Sequence, residues 1–301
     1  MVDPVVWDIG YLVSAALFIL GIKRLSSPRT APQGNRLGAY GMLLAVIVTM
    51  ARMESDDPGI IGWELVAGGL IIGGLIGAWM ATRVEMTGMP ELVALFNGFG
   101  GGASALVGLS EVLKRINSDD IPSDNVELYA TWIAIGLSGL VGWLTLTGSL
   151  MAMGKLKGGF YIPFTKKDDR GRRKWINFPT WGPPWLNFVK ASLLITAFVL
   201  IWLSTEEPSN KEIIYSLVAV SSLLGILFVI PIGGADMPVV VSLLNSMSGI
   251  AAAFTGFVIG NNVLIIAGSM VGAAGLILTF IMCKAMNRTL PAVLFLSLIH
   301  I

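Results

Sequence analysis

The sequence contains 301 residues, of which 54% are hydrophobic and only 13% are charged. Soluble globular proteins carry about 25% charged residues, so this composition excludes a soluble protein and indicates a membrane protein. The formal net charge of +1 gives no reason to expect nucleic acid as a partner, and the single cysteine, Cys283, excludes an internal disulfide.

Nine segments are predicted to cross the membrane, because each is apolar over enough residues to cover a hydrocarbon core of about 30 Å. The first is not followed by a signal-peptidase site and is predicted to be retained. We therefore expect an all-α, polytopic membrane protein, a bundle of about nine transmembrane helices. In chain order the predicted spans are Val6–Ile22, Leu37–Ala51, Ile61–Thr82, Pro90–Leu113, Leu128–Met153, Trp185–Ser204, Ile213–Ile232, Pro238–Gly260 and Val263–Met286.

Glycines at four-residue spacing mark two of these spans. Gly69, Gly73 and Gly77 lie in the third span, and Gly268 and Gly272 lie in the ninth. Small residues at this spacing let two helix backbones approach closely, which favours helix packing within a membrane. A contact between two copies of the chain is an alternative use of the ridge in the third span.

The fourth and eighth spans contain an internal repeat, GMPELVALFNGFGGGASALVG and ADMPVVVSLLNSMSGIAAAFTG. Aligning Met89 with Met237 places Asn97 on Asn245, and nine of the twenty residues from Met89 to Gly108 are identical. Both spans start on the same side of the membrane in the predicted topology, so the repeat is predicted to be parallel. Transporters built from such repeats hold their functional site at the repeat interface.

The positive charges give the orientation. One of the two alternating sets of connections carries 15 of the 20 Lys and Arg residues, which predicts that this set is cytoplasmic, with the N-terminus outside and the C-terminus inside. The long connection over residues 155–184 contains eight of these basic residues together with aromatic residues. We expect a solvated loop there, with docking on lipid headgroups or on a cytoplasmic partner as the alternative.

The sequence contains no cofactor-binding or metal-binding motif in the structural context that such a motif requires. Gly98, Gly100 and Ala103 match the dinucleotide fingerprint G-x-G-x-x-A, but that motif needs a preceding strand, and here it lies inside a predicted membrane span. The phosphate-binding loop pattern, the H-E-x-x-H pattern and Cys/His clusters are absent from the sequence. We therefore expect no cofactor-binding, metal-binding or catalytic residue in this chain.

Asn97 and Asn245 are the polar residues that need an explanation. An unpaired amide in an apolar environment costs several kcal/mol, so each must face a partner or water. Two interpretations remain open, a hydrogen bond that joins helices and the lining of a polar path. Hydroxyl side chains lie near them in the fifth and eighth spans, namely Thr145, Thr147, Ser149, Ser246 and Ser248.

Two carboxylates are placed at helix starts. Glu91 is in the first turn of the fourth span, where the helix dipole favours a negative charge, and Asp236 directly precedes the eighth span and fits its N-cap. We therefore interpret both carboxylates as capping groups. Asp236 is also placed to contact a peripheral domain. Apart from Lys190, no ionisable residue is predicted near the middle of a span, so a proton path confined to this chain would lack a titrating group.

Four strings of the sequence resemble the β subunit of the proton-translocating NAD(P) transhydrogenase family over nearly the whole chain. They are RVEMTGMPELVALFNGFGGGASALVG, TGSLMAMGKL, IGGADMPVVVSLLNSMSG and IMCKAMNR. The resemblance implies a complex in the bacterial inner membrane that couples hydride transfer between NADH and NADP⁺ to proton movement. It implies that residues 1–286 are the proton-translocating membrane domain and that NAD and NADP bind in two soluble Rossmann-like partner domains.

The same resemblance implies roles for individual residues. Asn245 and Ser149 match polar residues of the family's proton pathway, and Asp236 matches an acid near the junction with the NADP-binding domain. Arg288 belongs to the segment that links the ninth span to that domain. Asn97 stands where many β subunits carry a histidine, and asparagine cannot titrate. We therefore expect Asn97 to line the pathway and a membrane helix of an α partner subunit to supply the histidine.

The resemblance also gives expectations for the C-terminal tail and the partners. The family continues into an NADP-binding domain, so residues 287–301 are expected to be a truncated linker or an aberrant tail, and His300 is assigned no function. The expected partners are an α subunit with the NAD-binding domain, the NADP-binding domain and a second copy of the complex. This chain alone is expected to be inactive in hydride transfer. The residues leave open a secondary transporter of a small ion or solute, and a structural anchor.

Overall fold

The structure is a computed structural model that describes residues 4–56, 62–118, 121–122, 124–158, 160–161, 175–176 and 182–295. Most of the basic connection between residues 155 and 184 lies outside the described residues, and so does His300. The prediction that this connection is a solvated loop therefore stays a prediction.

The described residues form ten α-helices, of which the first nine are long and apolar enough to cross a membrane. This confirms the predicted all-α polytopic fold. A 3-10 turn precedes α4 at Met86–Gly88 and another precedes α8 at Gly234–Asp236, and a short antiparallel ladder pairs β1, Phe160–Tyr161, with β2, Trp175–Ile176. The helices are α1 Pro4–Leu25, α2 Ala31–Asp56, α3 Trp63–Arg83, α4 Met89–Ser118, α5 Asn125–Leu156, α6 Trp185–Glu206, α7 Lys211–Val229, α8 Met237–Val258, α9 Asn262–Ala285 and α10 Leu290–Phe295.

Most helices extend beyond the predicted spans, because hydropathy marks only the part of a helix that lies in hydrocarbon. The second span, predicted as Leu37–Ala51, is the middle of α2, which runs on into polar residues at both ends. The seventh span was predicted to reach Ile232, but α7 ends at Val229. Pro231 lacks the backbone N–H that would continue the helical hydrogen bonds, which explains the earlier end.

The chain forms two compact units, and the first comprises residues 1–83 and 261–267. Its apolar core contains Tyr11, Val48 and Val263, and Ser14 Oγ donates a hydrogen bond of 2.7 Å to the Gly41 carbonyl, which joins α1 to α2. Helix α3 has no buried residue, and a Cβ added at any glycine of its four-residue ridge would meet no described atom within 4 Å. The predicted packing of that ridge is therefore not made by the described residues of this chain.

The second unit comprises residues 84–260 and 268–301 and is organised around α5, which packs against α4, α6, α7 and α8. Its core contains Leu144, Val229 and Leu244, together with Val293 from α10. The part of the C-terminal segment that forms α10 thus contributes an apolar side chain to the core. Neither this packing nor any other observation tests the domain boundary predicted at residue 286.

The two copies of the internal repeat share local structure at matched positions. Each copy begins with a three-residue 3-10 turn, followed directly by a helix that starts at Met89 or Met237. In each copy the matched glycine lies against the next helix. A Cβ at Gly101 would be 2.8 Å from the Thr145 Cβ in α5, and a Cβ at Gly249 would be 2.4 Å from the Gly272 nitrogen in α9. These glycines permit backbone contacts that a larger residue would prevent.

We predict that Gly101→Ala and Gly249→Ala each destabilise the protein by about 1–3 kcal/mol, because the added methyl group overlaps atoms that cannot move freely. The neighbouring change Gly100→Ala is the matched control, since a Cβ there would meet no described atom within 4 Å. Thermal unfolding of the purified protein in detergent measures the difference. Equal midpoints for Gly101→Ala and Gly100→Ala would show that the close contact does not exist.

Candidate functional site

A buried hydrogen-bonded group joins α4, α5 and α8. The Asn97 amide nitrogen donates to Ser149 Oγ at 3.0 Å, and Ser248 Oγ donates to the Asn97 amide oxygen at 2.6 Å. Asn97 is 8% exposed and Ser149 is fully buried. We call these three residues the amide–hydroxyl group. Both ends of the Asn97 amide are bonded, so most of the cost of burying it is offset.

The residue after Asn97 explains how the amide reaches α5. A Cβ at Gly98 would lie only 3.0 Å from Ser149 Cβ and 3.3 Å from the Leu146 carbonyl oxygen. The missing side chain therefore lets α4 approach α5 at this level. Gly101, one turn further along α4, repeats the contact against Thr145, so the close approach extends beyond the amide.

Asn245 lies next to this group but is not hydrogen-bonded to Asn97. Its backbone carbonyl oxygen lies 2.8 Å from Ser248 Oγ, and its side chain is half-buried. Within the described part of the chain its amide group makes no hydrogen bond to another residue. The structure thus brings Asn97 and Ser149 together directly, and places Asn245 one turn of α8 before the serine that contacts Asn97.

A second buried polar group joins the same three helices, and sequence reasoning missed it. Ser138 Oγ and Thr255 Oγ1 are 2.6 Å apart, and both side chains lie within hydrogen-bonding distance of the Ser104 carbonyl oxygen. Single serines and threonines in helices usually bond their own backbone, as Thr255 also does, so neither stood out. The sequence feature that could have revealed this group is a spacing. Ser104 follows Asn97 by seven residues, or about two helical turns.

Asp236 is buried and forms an ion pair with Arg288. Arg288 Nη1 donates to Asp236 Oδ2 at 2.6 Å, and the carboxylate makes no capping hydrogen bond to α8. Asp236 thus occupies the predicted N-cap position of α8, but its carboxylate binds Arg288 and makes no capping hydrogen bond to the helix. Asn287 has a positive φ of 52°, which turns the chain after α9, and the Arg288 nitrogen donates to the Cys283 carbonyl at 2.9 Å.

The described residues around these groups hold no cofactor or metal site of a recognisable kind. The residues of the G-x-G-x-x-A match lie within α4, so the strand that the fingerprint requires is replaced by helix. Among the described residues no three His, Cys, Asp or Glu side chains are grouped as a metal site requires. Lys190, the ionisable exception among the predicted spans, lies buried near the start of α6.

Long apolar helices that bury a bonded amide and several hydroxyls between them define a polytopic membrane protein with a polar interior. Residues 7–300 match the model of the family described as NAD(P) transhydrogenase beta subunit, and the chain belongs to that family. This confirms the resemblance drawn from the sequence.

Curated relatives agree with the family match. The chain is 39% identical over 280 residues to the NAD(P) transhydrogenase subunit beta of Rhodospirillum rubrum, an alignment that covers 93% of this chain and 55% of the relative. A second relative of the same name, from a designated strain of that species, gives the same values. The chain thus spans about half the length of the curated relatives it matches.

We predict that Ser149→Ala lowers the free energy of unfolding by about 1 kcal/mol, because it leaves the buried Asn97 amide nitrogen without its acceptor. Ser221→Ala is the matched control. Ser221 is also fully buried, but within the described residues its hydroxyl has no hydrogen-bond partner, so its removal should be neutral or stabilising. Unfolding of the purified protein in detergent compares the two variants, and equal losses would contradict the hydrogen bond.

Proposed function

We propose that this chain forms the proton pathway of a complex that couples hydride transfer between NADH and NADP⁺ to proton translocation. The observation that carries the proposal is the Asn97 amide, buried among membrane helices and bonded on both sides to hydroxyl groups. Family membership supports the class of reaction. The pathway residues are Asn97, Ser149 and Asn245.

Amides and hydroxyls can orient water and pass hydrogen bonds along a path, but they do not titrate near neutral pH. The described partners of the amide–hydroxyl group are themselves amides, hydroxyls and carbonyls. We infer that the titratable element comes from another polypeptide. We assign it to a transmembrane histidine of an α subunit that faces Asn97 and Asn245, because histidine has an unperturbed pKa near 6.5.

The surface around these residues suits such a partner. Asn245 is half-buried, and its amide is not used by the described residues, so it remains able to bond to a partner side chain or to water. Helix α4 leaves Val93, Phe96 and Phe99 exposed in the turns around Asn97, which gives an apolar surface for a neighbouring helix.

The remaining parts of the complex follow from the same proposal. NAD and NADP bind in soluble partner domains, and Asp236 and Arg288 transmit the state of the NADP-binding domain to the membrane helices. Residues 1–286 are the proton-translocating domain, and the segment after Met286 leads toward the NADP-binding domain. The complex is a dimer in the bacterial inner membrane, with the N-terminus of this chain outside and its C-terminal side in the cytoplasm.

We predict that Asn97→Leu and Asn245→Leu each reduce proton translocation by the assembled complex at least about tenfold, because each replaces a hydrogen-bonding group of the path, worth about 1–3 kcal/mol, by an apolar one. Asn262→Leu is the matched control, since Asn262 is exposed at the start of α9. A pH-sensitive dye in reconstituted vesicles measures proton movement driven by hydride transfer. Translocation equal to that of the control in both variants would refute the proposed pathway.

We also predict that the 301-residue chain purified alone transfers no hydride from NADH to NADP⁺, since its sequence carries no dinucleotide fingerprint in the required context. The absorbance of NADH follows the reaction, and addition of the partner subunits serves as the positive control. Oxidation of NADH with NADP⁺ by the chain alone would contradict the assignment of both nucleotide sites to partner domains.

A further inference from the structure

Lys155 lies in the last turn of α5 and reaches across to the end of α7. Its Nζ donates to the Ile232 carbonyl at 2.9 Å and also to the Ile230 carbonyl. Its side chain is half-buried between the two helices. Lys155 therefore connects the C-terminal end of α5 to the segment over residues 230–236, which we call the α7–α8 corner.

The position of the ammonium group follows from the chemistry of a helix end. The last carbonyls of a helix lack intrahelical partners and carry partial negative charge, which favours a cation. Ile230 is the residue that caps α7, and Ile232 is fully buried. Without Lys155 the carbonyls of Ile230 and Ile232 would lose a charged donor, and such a loss exceeds that of a neutral hydrogen bond.

The α7–α8 corner is thus held by cations from two different elements. Lys155, in α5, binds carbonyl groups in the first half of the corner. Arg288, in the segment after α9, binds Asp236 at the end of the corner. Only three residues separate Ile232 from Asp236 along the chain. The Asp236–Arg288 pair and the carbonyls that Lys155 holds therefore lie on one short segment of the chain.

Helix α5 leads from the corner to the amide–hydroxyl group. Ser149 precedes Lys155 by six residues, or about 9 Å along the helix. On the other side of Ser149 from Lys155, α5 is in direct contact with α7, since Thr147 Oγ1 lies 2.9 Å from the Ser222 carbonyl oxygen. A Cβ at Gly225 would lie 2.4 Å from the Leu144 carbonyl oxygen, so the two backbones nearly touch.

We infer that Lys155 is a positioning residue that couples the α7–α8 corner to Ser149, so that movement of the Asp236–Arg288 pair shifts α5 against α4 at the amide–hydroxyl group. This inference rests on the proposed function. It adds a residue whose described hydrogen bonds go to the corner and not to the amide–hydroxyl group, and it gives the route by which a change at the corner reaches the hydrogen bond between Asn97 and Ser149.

The test is the ratio of protons translocated to hydrides transferred by the complex in vesicles. Lys155→Met keeps an unbranched apolar side chain in place and removes the charged donor, so the ratio should fall about fivefold, the size of a typical coupling between two sites. Lys155→Arg restores a charged donor and should restore much of the ratio. A purely structural lysine would lower both rates and the amount of complex, and would leave the ratio unchanged.

Lys114→Met is the matched control, because Lys114 is exposed in the last turns of α4 and the substitution is the same. A normal ratio in Lys155→Met would overturn the inference while leaving the proposed function intact. Normal translocation in both Asn97→Leu and Asn245→Leu would instead refute the proposed function. The two failures are therefore distinguishable in one set of measurements.

A measurement on the unaltered complex covers the case in which Lys155→Met fails to assemble. Hydrogen exchange is compared with and without NADP⁺ for peptides from residues 230–236 and from residues 151–157. Coupling through Lys155 requires that exchange changes in both peptides. A change confined to residues 230–236 would overturn the inference without any substitution.

Discussion

The cost of an unsatisfied polar group in hydrocarbon governs the arrangement of this chain. Asn97 could be buried in α4 only where another helix offered both a donor and an acceptor, and α5 and α8 do so through Ser149 and Ser248. The three helices are therefore fixed relative to one another at the level of this amide. An amide that lines a polar path would need hydrogen-bonding partners for the same reason. The side chains that hold the helices together would therefore also be the ones that line such a path.

Close packing by glycine is what makes those hydrogen bonds geometrically accessible. A serine side chain is short, and an asparagine on a neighbouring helix reaches it only if the backbones approach closely. Gly98 and Gly101 remove the side chains that would keep α4 away from α5. Gly249 does the same for α8 against α9, where Ser246 Oγ donates to the Gly272 carbonyl at 2.6 Å. The matched positions of the repeat thus combine a small residue with a nearby polar contact.

The sequence predicted the helices well because hydropathy depends on local composition, and each span carries enough apolar residues to show it. It also singled out Asn97, since an amide in such a segment is rare. The partner of Asp236 was not predictable, because an acid before a helix has a local explanation as a cap, whereas Arg288 lies 52 residues away. Ser138 and Thr255 escaped for the same reason, since their contact joins residues 117 apart. Long-range pairing depends on the packing of whole helices, which no local pattern reveals.

The positions of the charged groups bear on how a change at the helix ends could reach the amide–hydroxyl group. The amide–hydroxyl group is bonded entirely through neutral groups, whereas the ion pair of Asp236 and the cation of Lys155 lie at the ends of helices. Charged hydrogen bonds are stronger than neutral ones and respond strongly to the approach of another charge. A soluble domain acting at the corner would therefore change strong interactions there. Any resulting displacement of the rigid helices would reach the neutral hydrogen bonds of the amide–hydroxyl group, which are weaker and rearrange at a lower free-energy cost. The stronger, charge-sensitive interactions thus lie at the helix ends, and the weaker neutral ones lie at the amide–hydroxyl group.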